Sequence, residues 1–415
     1  MRYGLLGETL GHSFSPMIYE MLGLPGYELF PMSEAEIAGF LASGALRGLN
    51  VTIPYKKKAM AFCDTLSDTA RRLGNVNTLL FDDAGRIYGH NTDYAGFLYL
   101  LKQAGLSPAG KKVVILGTGG AAQTARLACL DTGADAVVTV SRTGGDNYRN
   151  IGRHADAALL INATPVGMYP HDADLPLSLD SLPHLEGVVD LIYNPLRTRL
   201  LTEAAQHGLR TAGGIAMLAA QGKAAAELFL GKKIPEGETL RICRALQGKT
   251  ENIVLVGMPG VGKTTIGTLL AARTGRRFVD TDALLQERTG RSAAVWIAKD
   301  GEAVFRTKEK ELVKETAHER GIVIATGGGA VLAEENRTVL RRSGRVYWLR
   351  RPPEQLATDD RPLSQEGSDL WELLERRRPL YDDAAHVALD ACGDFAEIAK
   401  EIETEFHAHI DDQWI

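Results

Sequence analysis

The chain has 415 residues, 45% of them hydrophobic and 24% charged, with 44 glycines and 16 prolines; this ordinary globular composition excludes collagen, coiled coil and disorder, and the length predicts two or three domains. No apolar run approaches the roughly 20 residues that span a bilayer, and Met1 leads almost directly into the apolar Tyr3-Gly-Leu-Leu-Gly7 with no leader pattern, so a cytoplasmic protein is expected. The net charge of −5 is uneven, with 23 basic and 23 acidic side chains in residues 1–248 and the whole acidic excess beyond them, which argues against a dedicated nucleic-acid binder.

Taken in chain order, apolar strands are predicted at Tyr3–Leu6, Leu49–Ile53 and Val76–Phe81, alternating with helical patterns. Val113-Val-Ile-Leu116 is a continuous apolar run suited to a parallel strand buried on both faces, and it runs into Gly117-Thr-Gly-Gly-Ala-Ala122. Residues 111–205 read as one dinucleotide-binding unit. The Ala-rich Ala216–Leu230 reads as a closely packed helix. A second helix is expected from Pro235 to Leu246, then a polar linker over Gln247-Gly-Lys-Thr-Glu251. Ile253-Val-Leu-Val256 repeats the strand signal and leads to Gly257-Met-Pro-Gly-Val-Gly-Lys-Thr264. The acidic, amphipathic Phe395–Phe406 is expected to be a packed terminal helix. Cys63, Cys129, Cys243 and Cys392 have no CxxC spacing, so buried free thiols are expected rather than disulfides or zinc. The expected division is 1–105 with 214–246, then 106–213, a linker at 247–251, and 252–415.

In the first glycine-rich turn, Gly117, Gly119 and Gly120 permit a tight turn and close approach of a pyrophosphate to the helix that Ala121 continues. The next strand ends in Ser141-Arg142-Thr143, where an NAD site usually has an acidic residue for the ribose 2′-hydroxyl. Arg142 can pair with a 2′-phosphate instead, so NADP(H) is the expected cofactor.

Six ordered motifs then come into view: Gly11-His-Ser13-Phe-Ser15-Pro16, Gly48-Leu-Asn-Val-Thr52-Ile-Pro-Tyr-Lys56, Gly74-Asn-Val-Asn77-Thr78, Gly89-His-Asn-Thr-Asp93-Tyr-Ala-Gly96, Asn162-Ala-Thr-Pro-Val-Gly-Met168, and Gly213-Gly-Ile-Ala-Met217 with Gln221. Over residues 1–246 the chain resembles shikimate dehydrogenase. The resemblance implies a catalytic pair, Lys56 and Asp93, and substrate binding by Ser13, Ser15, Thr52, Asn77, Tyr193 and Gln221. A lysine beside a carboxylate suits ketone reduction, because the developing alkoxide needs positive charge and a proton. The paired Ser13 and Ser15 look like a preference for shikimate over quinate. Ser15-Pro16 also reads as the start of a helix. Residues 143–161 are shorter and more glycine-rich than the family's usual helix-containing segment, which bears on contacts to the adenosine end.

The second glycine-rich turn is a full P-loop pattern. Its backbone at Gly257, Gly260 and Gly262 can cradle phosphates, Lys263 reaches the β- and γ-oxygens, and Thr264, followed by Thr265, can ligate Mg²⁺. Phe278-Val-Asp280-Thr-Asp282, Phe305-Arg306, Thr326-Gly327-Gly328-Gly329, Arg361-Pro-Leu363 and Arg377-Arg-Pro379-Leu-Tyr381 follow in the order seen in shikimate kinase, which residues 252–395 resemble. That resemblance implies Asp280 supporting Mg²⁺ and Asp282 holding the acceptor hydroxyls and taking a proton. It also implies Arg306 and Arg377 on the acceptor carboxylate, Gly327, Gly328 and Gly329 against the ring, and Arg361 over the transferring phosphoryl group. The segment Leu356–Asp360 is a short lid that lacks an arginine many relatives place near adenine.

The expected architecture is therefore a two-lobed α/β dehydrogenase, with a substrate lobe and a Rossmann-like NADP lobe, followed by a P-loop α/β kinase domain with a parallel sheet. The expected function is reduction of 3-dehydroshikimate to shikimate with NADPH, then 3-O-phosphorylation with Mg·ATP. The rivals are a quinate/shikimate dehydrogenase fused to a kinase for another small polyol, and a sensor that binds both nucleotides without turnover.

Overall fold

The apolar runs form strands, and three sheets account for them. A computed structural model describes residues 2–11, 13–44, 46–357 and 370–412. The first sheet contains β1 (Arg2–Gly7), β2 (Glu28–Pro31), β3 (Leu46–Val51), β4 (Thr65–Leu66), β5 (Thr78–Phe81) and β6 (Ile87–His90), in the order β2-β1-β3-β5-β6-β4. It is mixed: β1 is parallel to β2 and β3, whereas β5 runs antiparallel to β3 and β6. The second sheet contains β7 (Lys112–Leu116), β8 (Ala136–Val140), β9 (Leu159–Asn162), β10 (Gly187–Asp190) and β11 (Arg210–Gly213), all parallel, in the order β11-β10-β9-β7-β8. The third contains β12 (Asn252–Val256), β13 (Phe278–Asp280), β14 (Val323–Ala325), β15 (Gly344–Arg350) and β16 (Val387–Asp390), all parallel, in the order β13-β14-β12-β15-β16.

Two compact units result, Met1–Leu246 with the first two sheets and Gln247–Ile415 with the third. In each parallel sheet the strand before a glycine-rich turn has neighbours that wind to opposite sides: β7 lies between β8 and β9, and β12 between β14 and β15. Doubly wound sheets open a crevice at the carboxyl ends of such strands. Val113–Leu116 and Ile253–Val256 are fully buried, as continuous apolar runs require in sheets covered on both faces. Among the described residues no helix is long and apolar enough to cross a membrane.

The structure corrects four local expectations. β3 stops at Val51 rather than Ile53; Pro54 has no N–H for a ladder, and Ile53 is 77% exposed. β5 begins at Thr78 rather than Val76, because the Val76 amide donates to the Lys56 carbonyl. The expected linker at 247–251 is mostly helical, since one helix runs from Gly237 to Thr250. Gly248 weakens that helix by only about 1 kcal/mol. Its last turn is satisfied by the Arg276 guanidinium, which donates to the carbonyls of Gly248 and Glu251. Finally, all four cysteines are free, but only Cys129 and Cys243 are buried; Cys63 is half-buried and Cys392 exposed.

Candidate active sites

The first site forms where β3 and β6 end and the antiparallel β5 begins. Of the lysine run, Lys57 and Lys58 are exposed, and Lys58 pairs with Glu34, while Lys56 is drawn inward. The Val76 amide donates to the Lys56 carbonyl at 3.0 Å, which ties the segment before β5 to the lysine's backbone. Asp93 opens the helix Asp93–Gln103, where the peptide dipoles favour a carboxylate. Lys56 Nζ stands 2.6 Å from Asp93 Oδ2, with the two side chains only 25% and 14% exposed.

Asn77 is buried behind this pair, and its amide is committed. Nδ2 donates to Asp93 Oδ1 at 2.9 Å and to Thr92 Oγ1 at 3.0 Å, while Oδ1 accepts from the Thr92 amide at 2.7 Å. Asn50 extends the network, donating to Thr78 Oγ1 and accepting from the Tyr27 hydroxyl. On the other side Asn91 Oδ1 accepts from the Asp93 amide, and Asn91 Nδ2 donates to Asn75 Oδ1. The Asp93 carboxylate is therefore held by a cation on one oxygen and an amide on the other. Sequence reasoning did not pick out Asn50, Asn75 or Asn91. The available signal was three asparagines inside the motifs that carry Thr52, Asn77 and Asp93.

Ser13, Ser15, Thr52, Tyr193 and Gln221, the other expected substrate-binding residues, belong to the same compact unit. The helix Ser15–Met21 has Phe14 at its N-cap, Ser15 as its first residue and Pro16 second, and Ser13 Oγ accepts the Ser15 amide at 3.2 Å. The capping bond expected of Ser15 thus comes from Ser13. Tyr193 meets Phe14 edge-on at 6.1 Å, next to both serines. Gln221 approaches through Gly96: a Cβ there would lie 2.7 Å from the Met217 carbonyl and 3.0 Å from Gln221 Cβ, so only glycine lets the helices Asp93–Gln103 and Ile215–Leu230 pack this closely.

In the second sheet Gly117 has a φ of 104°, and a Cβ there would meet the Ala163 carbonyl at 3.0 Å. Gly119 caps the helix Gly120–Asp131, and nothing stands within 4 Å of a Cβ built on Gly119 or Gly120. This open, glycine-lined helix start, which continues into Ala121, fits a pyrophosphate. Ser141, Arg142 and Thr143 follow β8, with Arg142 and Thr143 exposed. Beyond them come a turn and the short 3-10 segment Ile151–His154, where the sequence departs from the family's helix-containing pattern.

Behind the crevice lies a network that sequence reasoning missed. Asp190 is fully buried and accepts from Asn162 Nδ2 at 3.1 Å, the Ile192 amide at 3.1 Å and Thr198 Oγ1 at 2.7 Å. Burial pushes its carboxyl up to about 6, against the smaller opposing pull of these donors. The folded unit therefore holds a proton that the unfolded chain has already lost, so this contribution to stability is present below about pH 4 and lost as the pH rises through about 6. A carbon-13 titration of the Asp190 carboxyl should give a midpoint near 6; a midpoint at the ordinary value of about 4 would remove the argument.

The second site lies at the carboxyl ends of β12, β13 and β14. Gly257, Gly260 and Gly262 have φ values of 148°, 87° and 102°, which side chains rarely tolerate. Lys263 Nζ donates to the Gly257 and Met258 carbonyls at 2.9 and 3.0 Å. Thr264 Oγ1 donates to Asp280 Oδ2 at 2.7 Å, while Asp280 Oδ1 accepts the Asp282 and Ala283 amides. Asp280 thus caps a helix and also faces the P-loop threonine, an oxygen pair suited to Mg²⁺ or its water shell. Thr265 is exposed beside them.

Asp282, Arg306, Arg377 and the triple glycine converge. Cβ atoms would stand 2.6 Å from Asp282 Oδ1 at Gly327, 2.5 Å from Pro259 at Gly328 and 2.5 Å from the Arg306 guanidinium at Gly329. Arg377 is 2% exposed, donates through Nη1 to the Gly328 carbonyl at 3.1 Å, and leaves Nε buried without a partner. Arg376 and Arg378 are exposed, so burial singles out Arg377 from the run. An orphaned guanidinium donor beside glycine backbone fits an incoming carboxylate.

Glu309 is a further residue of this site that sequence reasoning missed. It is 4% exposed, receives Arg306 Nη1 at 2.8 Å, and its Oε1 would lie 2.9 Å from a Cβ on Gly327. Burial raises its pKa, opposed by Arg306 and reinforced by Asp282. Burial also works against the Arg306 charge, but Glu309 and Glu302 outweigh it and hold the guanidinium above its ordinary value. The signal was the three-residue spacing of Arg306 and Glu309 on one helix. Arg361 and Leu363 lie outside the described residues, as do Thr358–Asp360 of the expected lid.

Residues 5–79 match a family model described as the shikimate dehydrogenase substrate binding domain, and residues 259–406 match one described as shikimate kinase. A shikimate dehydrogenase (NADP(+)) from Clostridium perfringens is 37% identical over 267 residues, covering 59% of this chain and 98% of that protein. A crystal structure of shikimate 5-dehydrogenase from Thermus thermophilus, in complex with NADP(H) and shikimate, is 35% identical, covers 59% of this chain and 99% of its own, and superposes with a TM-score of 0.54. A chorismate mutase/shikimate 5-dehydrogenase fusion protein from Clostridium acetobutylicum is 32% identical, covering 59% of this chain and 96% of its own with a TM-score of 0.56.

Proposed function

The chain belongs to the shikimate dehydrogenase family and carries a shikimate kinase domain after that part, and from this premise we propose how its own residues make and then use shikimate. The first unit reduces 3-dehydroshikimate to shikimate and the second phosphorylates the shikimate 3-hydroxyl. When bound, NADPH supplies the hydride and Mg·ATP the phosphoryl group.

In the first unit Lys56 holds, at Nζ, the proton that neutralises the developing alkoxide. Asp93 orients Lys56 and holds a substrate hydroxyl. Their 2.6 Å contact is the observation that carries this reading. Ser13, Ser15, Thr52, Tyr193 and Gln221 offer short hydrogen-bonding groups for the ring and its carboxylate. Asn77 binds substrate only by exchanging one of its two committed donor bonds, so holding Asp93 is its first task. Gly117, Gly119, Gly120 and Ala121 would seat the pyrophosphate, with Ser141, Arg142 and Thr143 at the ribose 2′-phosphate.

In the second unit Gly257, Gly260, Gly262, Lys263, Thr264 and Thr265 would hold the ATP phosphates, and Thr264 with Asp280 the Mg²⁺. Asp282 orients the acceptor hydroxyl and receives its proton. Arg306 and Arg377 clamp the carboxylate, supported by the buried unpaired Nε of Arg377. Gly327, Gly328 and Gly329 leave room for the ring, and Arg361 would add charge over the transferring group.

One experiment tests the whole reading. The full chain is supplied with 3-dehydroshikimate, NADPH and Mg·ATP. The expected product is shikimate 3-phosphate, formed with matching loss of NADPH and ATP. Nucleotide binding without turnover would instead identify a sensor. Turnover of quinate at least as efficient as that of shikimate, with no 3-phosphate formed, would favour the quinate rival.

A further inference from the structure

The turn after β8 is closed by its own side chains. The Ser141 amide donates to the Asp146 carbonyl at 3.2 Å, and the Gly144 amide donates to Ser141 Oγ at 2.9 Å. Arg142 and Thr143 form the exposed tip between them. Gly144 and Gly145 come next, and glycines have the most backbone freedom to lose on ordering. Each has its carbonyl held by an asparagine. Asn147 Nδ2 donates to Gly144 O at 3.2 Å, and Asn150 Nδ2 donates to Gly145 O at 2.8 Å.

The two asparagines also hold one another. The Asn147 amide donates to Asn150 Oδ1 at 2.8 Å, and the Asn150 amide to the Asn147 carbonyl at 3.1 Å. Asp146, the only acidic residue in the sequence of this turn, contacts buried His154 Nε2 at 2.9 Å, an anchor in the segment Ile151–His154. A free glycine pair would let Arg142 sample many positions, and ordering it on binding would cost affinity. Here that ordering is built in before any cofactor arrives.

We infer that Asn147 and Asn150 are positioning residues for cofactor selection: by pinning Gly144 and Gly145 they hold Arg142 and Thr143 ready for a phosphorylated adenosine ribose, and so set the preference for NADP over NAD. The inference rests on the reading of Arg142 as the 2′-phosphate partner. The unphosphorylated dinucleotide lacks the 2′-phosphate that a held guanidinium would pair with, so the effect is selective.

The test compares kcat/KM for shikimate oxidation with NADP⁺ and NAD⁺ in the full chain, the double variant Asn147→Ala/Asn150→Ala, and Arg142→Ala. The double variant should lose about tenfold with NADP⁺ and stay within about twofold of the parent with NAD⁺. Arg142→Ala should lose the same preference. If Arg142→Ala removes the preference and the double variant keeps it, the pinning role is overturned while the Arg142 reading stands. If Arg142→Ala keeps the preference, the Arg142 reading fails and takes the inference with it. Equal losses with both cofactors in the double variant would reveal a purely structural role and likewise overturn it.

Discussion

Lys56→Ala should lower dehydrogenase kcat by about 10²- to 10⁴-fold, the usual contribution of a positioned proton donor, while kinase kcat stays unchanged. Lys56 Nζ is the cation paired with Asp93, at 2.6 Å. Its removal withdraws the proton and positive charge that an alkoxide needs. It also leaves Asp93 with Asn77 alone as a side-chain donor among the bonds described above. The loss should fall on kcat, because the charge develops only as the ketone is reduced. Shikimate oxidation and ADP release, measured on the same preparation, check this. Lys57→Ala is the matched control, since that neighbour is exposed, and it should leave both activities near the parent's. Equal losses in Lys56→Ala and Lys57→Ala would sink the assignment.

The two sites differ in how far they could be read without coordinates. The glycines at the two phosphate loops were legible because their physics is local: Gly117, Gly257, Gly260 and Gly262 all have a φ that favours glycine. Lys56 was not legible from local physics, because a run of three lysines is ordinarily a solvated face. Only the surrounding motifs separated it from Lys57 and Lys58. Arg377 posed the same problem within three arginines, and burial resolved it. Glu309 was hidden because it meets Arg306 within its own helix but meets Asp282 and Gly327 only through the fold. Asn147 and Asn150 carry no sequence signal, since their bonds run to glycine carbonyls whose positions no pattern announces. The helix through residues 247–250 was misread for a related reason. Gly248 and its polar neighbours suggest a linker, whereas Arg276, far along the chain, satisfies the helix end.

Asp282→Asn should lower kinase kcat by about 10²- to 10⁴-fold with dehydrogenase kcat intact. The substitution keeps the size and one oxygen but removes the negative charge that orients the acceptor hydroxyl and receives its proton. Two features make Asp282 the group to change. Its Oδ1 stands 2.6 Å from where a Cβ on Gly327 would lie, which puts it at the glycine loop. It also stands close enough to Glu309 to help raise that buried acid's pKa. With Asn in its place that repulsion is gone, so the Glu309 pKa should fall, a change visible by carbon-13 titration even with no substrate present. Phosphoryl transfer relies mainly on position and charge neutralisation, so KM for ATP should move little while kcat collapses. A parallel collapse in Asp280→Asn should instead be relieved by raising Mg²⁺, because that carboxylate faces Thr264 at 2.7 Å rather than the acceptor. If added Mg²⁺ rescued Asp282→Asn and left Asp280→Asn inactive, the two aspartates would have to exchange roles.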